Sequence, residues 1–593
     1  MANGNLPGVI RNEIDNSFVS QINNSSYAGV MGRATKGIAN SKVLVHSEPE
    51  LINTFGYPIV SGSFPLVSAI DYGIYAGIVA LQETSNLWYI RLTDGTEKYA
   101  SVVVPTYDGT SGTSVSAVSG TTSALSVAAS TSYPNLVGYS EGNTPKDIYD
   151  LRVLNGIGAG LRFSSIGPGV DGNNLAVAIY TKNVAGTSLS GVYDWANKYD
   201  DYGVSANKRA DKIFKVCVFT KQATQSFDSA WWSSVSGAPI ETFYASTDFT
   251  MLDNGGDSLF VEDVINGNSD FVYVTSNKVD GTLPSYTTSG FGFAGGALPT
   301  TLSTLNASTI WSVFENREVS PLNTAIVIPR AKDTYTDATE LNAIDSLVGR
   351  RKDFVGFVQA TSLTSQNYNS IVSDNTNIVV ASNPSYFGKY VGWHLVLDRY
   401  NSSRVYLPNC IFAAAVSLRS DRVGKPWDAP AGIDRGLVQS GKQNVNLSPT
   451  VAGTLYDRFN LNTFKFVNGL GYVVWGQKTA QLKTTARDRL NVRKLLIFIE
   501  NNSETILNGF VFQGNTVKAR ERVTSLINSF LQTVLSGEGV QSYKVVCNSS
   551  NNTATTIAQN ILICDIYVQP TYTIEFVQLN TIISADSVSV SEV

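Results

Sequence analysis

Charge is scarce in this 593-residue chain: Asp, Glu, Lys and Arg together make up 15% of it, against about 25% in an average soluble domain. A surface so poor in charge implies that much of it is covered by something. The charges nearly cancel, with a net of −5 and a pI near 5.3. No run of Lys or Arg stands out, so the clustered basic field of a nucleic-acid or anionic-membrane binder is missing. Histidine is rarer still, with only His46 and His394. The four cysteines, Cys217, Cys410, Cys547 and Cys564, show no Cys-x-x-Cys spacing; four buried free thiols are expected, with no disulfide framework, zinc site or other cofactor. Long apolar runs are also absent. The longest, Ile411–Val416 and Leu495–Ile499, fall far short of the roughly 20 residues that cross a bilayer. The opening Met-Ala-Asn-Gly-Asn-Leu-Pro lacks the basic and apolar regions of a secretion signal. A chain that is made and stays soluble, without membrane insertion, is expected.

At this length three or four domains are expected, because single cores stop growing near about 250 to 300 residues. From Tyr27 to Arg91 strand and helix alternate: YAGVMGRATKG, KVLVHS and LWYIRL read as strands, Glu48–Phe55 and Pro65–Ala80 as helices. After Val104 the composition shifts, and residues 109–140 hold no charge. VSAVSGTTSALSV (Val115–Val127) fits a small exposed β insertion over 101–165, and also a flexible linker. A second β-rich insertion, 166–310, opens with IGPGVDGNNLAVAIY, and its IFKVCVF and DFVYVTS alternate like half-buried strands. Near Trp311 the α/β rhythm resumes, with TAIVIPR and DFVGFVQ as strands around a helix over Ala338–Arg351. The interruption predicts one α/β domain split between 21–100 and 311–450, followed by an α+β domain over 451–575.

Two ends stand apart. In residues 1–20, Val9, Ile10, Ile14 and Phe18 follow neither a helical nor a strand period; at 576–593, Ile582 precedes Val588 and Val590 alternating with serine. Each is either a loose terminus or an arm that adds a strand to another chain.

Catalytic motifs fail on their chemistry. Gly138-Tyr-Ser-Glu-Gly142 has the Gly-x-Ser-x-Gly spacing, yet it is followed by Asn143-Thr-Pro and has no histidine in a recognisable context. His46 in VLVHS and His394 in GWHLVL read as satisfied core imidazoles. Gly436-Leu-Val-Gln-Ser-Gly-Lys442 nearly spells a phosphate loop, but Gln443 stands where Ser or Thr must reach magnesium. No enzyme is expected.

The most informative block runs from Gly469 to Leu535. GLGYVVWG (Gly469–Gly476) and LNVRKLLIFIE (Leu490–Glu500) read as buried strands, and Thr516–Leu535 as an amphipathic helix with Lys518, Arg520, Glu521 and Arg522 clustered in its opening turns. Trp475-Gly476, Thr479 and the run Asn491-Val492-Arg493, together with the upstream GKPWDAPAGIDRG carrying Trp427, Pro430, Gly432 and Arg435, resemble the contractile tail sheath proteins of myovirus-type phages and related injection systems. Lys494 stands where that family has a second arginine. The resemblance implies a multidomain α/β protein with a split subtilisin-like core, outer β insertions and terminal arms. It implies a homo-oligomer of stacked, hexameric rings in the virion tail, assembled in the host cytoplasm. Tail tube, baseplate and tail terminator proteins are its implied partners, with the 518–522 face toward the tube. The alternative is a surface adhesive or coat protein, for which an export signal and repeats are wanting.

Overall fold

The computed structural model describes residues 26–38, 41–61, 68–69, 71–92, 98–107, 125–126, 160–167, 169–181, 212–220, 239–253, 255–277, 283–284, 291–296, 310–330, 333–438, 441–576 and 578. Its largest sheet has nine strands, in the order Lys42–Val45, Leu87–Arg91, Ala28–Gly32, Thr324–Val327, Val355–Gln359, Phe387–Tyr390, Leu461–Val467, Gly471–Trp475 and Leu437–Val438. The six strands from Leu87 to Leu461 run parallel, and the outer pairings are antiparallel. Parallel strands are covered on both faces and so read as unbroken apolar runs; AGVMG, TAIV and VGFVQ are buried at every position. Ala28 pairs with Thr324, which closes the α/β sheet across the long interruption.

Local signals set several helices. Ser47 caps Glu48–Phe55 by accepting from the Glu50 amide, and Asp337 caps Ala338–Arg351 through the Thr339 and Glu340 amides. Pro65–Ala80 shortens to a helix over Gly73–Leu81. That helix sits directly on the first strand: a Cβ on Gly32 would lie 2.4 Å from Gly73 Cα, a distance that only two glycines allow.

Strands on both sides of the boundary expected at 165 share one module. Ser101–Tyr107 and Gly160–Ser165 form a sheet with Val272–Asn277 and Leu283–Pro284, while Leu175–Thr181, Ile213–Thr220, Glu241–Ser246 and Phe291–Gly292 form another. Both sheets are antiparallel, and Val104, Phe163, Val177, Phe214 and Val274 meet in a single core. Two insertions are thus one body. Of Val115–Val127, only Leu125–Ser126 is described, as a strand paired with Lys98–Tyr99.

The main sheet also runs past 450, because Leu461–Val467 and Gly471–Trp475 belong to it. Leu490–Glu500, expected as a strand, is the start of a helix spanning Leu490–Asn508. Leu490 and Ile497 pack into the main core, whereas Leu495, Ile499 and Ile506 pack into the C-terminal one. Its five consecutive apolar residues, Leu495–Ile499, read like a buried strand in a short window, although polar residues flank them on both sides. The helix Val517–Ser536 packs against it and is capped by Thr516. Val540–Val546 and Asp565–Pro570 complete this unit as a two-stranded antiparallel ladder. The following YTIEFVQL, whose alternation reads as a strand, has no strand within 571–576.

Candidate functional site

The motif residues converge where the main body meets the C-terminal helices. Trp427 Nε1 donates to the Gly537 carbonyl at 3.0 Å, and Lys425 Nζ donates to the same oxygen at 2.9 Å. The indole stands edge-on to Phe498, with ring centroids 5.5 Å apart, and Phe498 in turn meets Phe530 at 5.8 Å. A Cβ on Gly539 would come within 2.9 Å of Trp427 Cε2, so the turn after the helix Val517–Ser536 is built to admit the ring. Pro430 is buried. Gly432 has φ of +88°, which starts a short helix, Gly432–Arg435, and brings Arg435 Nη2 to 3.3 Å from Asp428 Oδ2.

The second half of the motif is internal. Asn491, Val492 and Arg493 are all buried; Arg493 lies over the Tyr386 ring at 4.1 Å and donates to Ser385 Oγ at 2.8 Å. Lys494, the departure from the family pattern, is buried as well, 2.5 Å from Asp421 Oδ1 and 2.8 Å from Ser417 Oγ. Burial pushes the Asp421 carboxyl above the usual carboxylate range, and Lys494 pulls it back. Thr479 is fully buried, its amide donating to the Asp488 carbonyl at 2.9 Å and its hydroxyl to Arg487 O at 3.2 Å. Gly476 packs against Asn462 and Tyr456. Trp475 alone of this group is substantially exposed, with Lys465 Nζ 4.3 Å above its ring.

Of the four charged residues expected on one outward face, Lys518, Glu521 and Arg522 are exposed. Arg520 is not. It is buried and donates to Asn515 Oδ1 at 2.7 Å, bracing the turn between the two helices. Clustering in sequence hid this, because helical positions 518 to 522 span more than one face. At the tip of that turn Phe512 is fully exposed at φ of +68°, a conformation bulky side chains rarely adopt.

Sequence reasoning missed two further features. Both strands of the Val540–Val546 and Asp565–Pro570 ladder pair only with each other among the described residues, which leaves two open edges. Immediately after it, Glu575 turns inward and Thr573 Oγ1 accepts from Gln477, while Tyr572, Ile574 and Phe576 are exposed. The alternation in YTIEF was the available signal. Val9, Ile10, Ile14, Phe18, Ile582, Val588 and Val590 lie outside the described residues.

The histidines part ways. His394 is fully buried, with Nδ1 at 2.5 Å from Asn409 Oδ1 and its ring enclosed by Phe412, Phe464 and Tyr472; burial pushes it down to about 4. His46, expected in a core, is exposed beside the Ser85 carbonyl, because it follows the edge strand instead of lying within it. Gly138–Gly142 lies outside the described residues. Gly436–Lys442 holds the strand Leu437–Val438 and runs into the strand Lys442–Gln443, so no helix opens at its lysine, and among the described residues no cluster of His, Cys, Asp and Glu could hold a metal.

No family model matches the chain. In sequence it is similar to phage tail sheath proteins. It is 26% identical over 383 residues, 60% of the chain, to the tail sheath protein of Vibrio phage KVP40, covering 55% of that protein. It is 29% identical over 259 residues, 42% of the chain, to the tail sheath protein of Salmonella phage ViI, covering 41% of that protein. The chain thus spans about half the length of the curated relatives it matches. Its mixed α/β, multi-sheet fold aligns with a sheath tail protein from Listeria innocua at a TM-score of 0.52, over 93% of this chain and 92% of that one, with 9% identity.

Proposed function

We propose that this chain is a structural subunit of a contractile tail sheath, polymerising as stacked helical rings around a tail tube and shortening to drive that tube through a host envelope during genome delivery. The sequence match to a phage tail sheath protein over 60% of the chain carries this reading. In it the subunit resides in the virion tail, is assembled in the host cytoplasm, and meets its own copies, the tube, the baseplate and the tail terminator. The split α/β body takes the subtilisin-like role and the β module points outward. Rings of six copies come from the family resemblance alone.

Such a machine needs no catalytic residue. It needs rigid bodies that rotate and links that survive the rotation. The open edges of the 540–546 and 565–570 ladder support strand addition by the arms carrying Val9, Ile10, Ile14 and Phe18 and Ile582, Val588 and Val590 from other copies. At about 0.5 to 1.5 kcal/mol net per main-chain hydrogen bond, a few paired residues hold a link while weaker contacts exchange. A contact joining two different surfaces, repeated without closing, gives a helical array. Lys518, Glu521 and Arg522 take the tube-facing role. Contacts within one subunit, such as Trp427 with Gly537, keep the body rigid so that motion is confined to the links.

Negative-stain microscopy of the purified chain tests the reading. Striated hollow cylinders are expected, and a persistent monomer across salt and concentration overturns it.

A further inference from the structure

Cys547 and Cys564 face each other one step beyond the end of the two-stranded ladder. Val546 pairs with Asp565, so the same antiparallel register sets Cys547 opposite Cys564. Directly opposed residues have Cα atoms about 4.5 to 5.5 Å apart, within the span of a disulfide. Cys564 packs against the core in which Cys547 is buried. Their neighbours hold this placement: Asn551 Nδ2 donates to Val546 O at 2.7 Å and to Asp565 Oδ2 at 2.9 Å. Asn552 Nδ2 donates to Ile563 O at 2.8 Å, and Asn552 Oδ1 accepts from the Ile563 amide at 2.8 Å. Cys547 is buried in the C-terminal core and Cys564 is half-buried; both are thiols in this structure. Cys217 and Cys410 sit on other elements, a strand of the β module and the helix Asn409–Val423.

We propose that Cys547 and Cys564 form an intramolecular disulfide by exchange with an oxidised low-molecular-weight disulfide, stapling the C-terminal ladder to the 548–563 connection. The more accessible Cys564 thiolate attacks one sulfur of the small disulfide, breaking its S–S bond and releasing one small thiol. The Cys547 thiolate then attacks Cys564 Sγ in the mixed disulfide and expels the second. Two cysteines are oxidised, one small disulfide is reduced to two thiols, and the two cysteine protons end on those thiols. Burial pushes both cysteine thiols up, Cys564 to about 12, so thiolate is scarce at neutral pH and closure speeds up with alkalinity. A reducing compartment keeps the pair open and an oxidising one closes it.

The native full chain is incubated with oxidised glutathione at rising pH, denatured, alkylated and mapped by mass spectrometry. A Cys547–Cys564 peptide lighter by two hydrogens is expected, formed about tenfold faster per pH unit, reversed by reductant, with Cys217 and Cys410 still alkylated. A glutathione adduct that persists on Cys564, a bond between chains, or two alkylatable thiols overturns the proposal. Amide exchange across residues 540–570 is expected to slow by about tenfold on oxidation, and not in Cys564→Ser. Equal exchange before and after closure overturns the staple.

Discussion

Arg489 grips Glu575 with two arms of its guanidinium, Nε to Oε1 at 2.6 Å and Nη2 to Oε2 at 2.9 Å. Tyr456 Oη donates to the same carboxylate at 3.2 Å, and Gln477 Nε2 reaches Thr573 Oγ1 at 2.7 Å. The chain beyond the C-terminal ladder is thereby tied back to the main body.

Glu575→Ala is expected to free residues 571–576 while leaving the rest folded. Losing a two-pronged charged hydrogen bond costs about 1.5 to 3 kcal/mol locally. Limited proteolysis should cut after the ladder in the variant and not in the parent, and equal resistance refutes the clamp. Polymerisation should weaken in parallel, since the departing segment no longer leaves from a fixed point.

Removing residues 1–18, or everything after Asn580, is expected to give a folded subunit that fails to polymerise. Sedimentation and microscopy read this directly. Normal cylinders from either truncation remove that end from the linking role.

Trp427→Ala should loosen the C-terminal unit from the body. The ring is half-buried, so a cost of about 2 to 4 kcal/mol is expected, toward the lower end of buried Trp-to-Ala losses. Hydrogen exchange should rise across 517–546 and stay unchanged in the strands Thr324–Val327 and Val355–Gln359. A uniform rise across both regions contradicts a local role.

His394 makes stability depend on acidity. Its folded value of about 4 lies below the unfolded value of about 6.5. The neutral ring therefore contributes fully above pH 6.5, and the contribution is lost as pH falls toward 4, with a ceiling of about 3 kcal/mol. His394→Phe, which suits the surrounding aromatic rings, should flatten that stretch of the urea midpoint against pH. An unchanged slope assigns the acid sensitivity elsewhere.

What the sequence disclosed was whatever is local. Ser47, Asp337 and Thr516 announce their helices because a cap acts within one turn. The buried parallel strands are legible because both faces are covered by the same chemistry. Leu490–Asn508 was misread because the apolar run Leu495–Ile499 fills a short window as a buried strand does. The single β module stayed hidden because Val103 pairs with Arg162 and Arg162 with Thr275, partners that no short window contains. Trp427 could be singled out by motif, but its hydrogen bond to Gly537 crosses 110 positions. Arg520 and the opposed pair Cys547 and Cys564 required three dimensions.

The strand Leu87–Arg91, from which the β module departs, and the strand Thr324–Val327, to which the chain returns, are separated only by Ala28–Gly32. Two strand spacings amount to about 10 Å, so the chain leaves the main sheet and returns to it one strand apart, and Gly167 and Asp171 of the module also meet Gly37 and Lys36 of the main body. Evolution can enlarge, trim or replace the outer piece while the frame that bears the load keeps its dimensions.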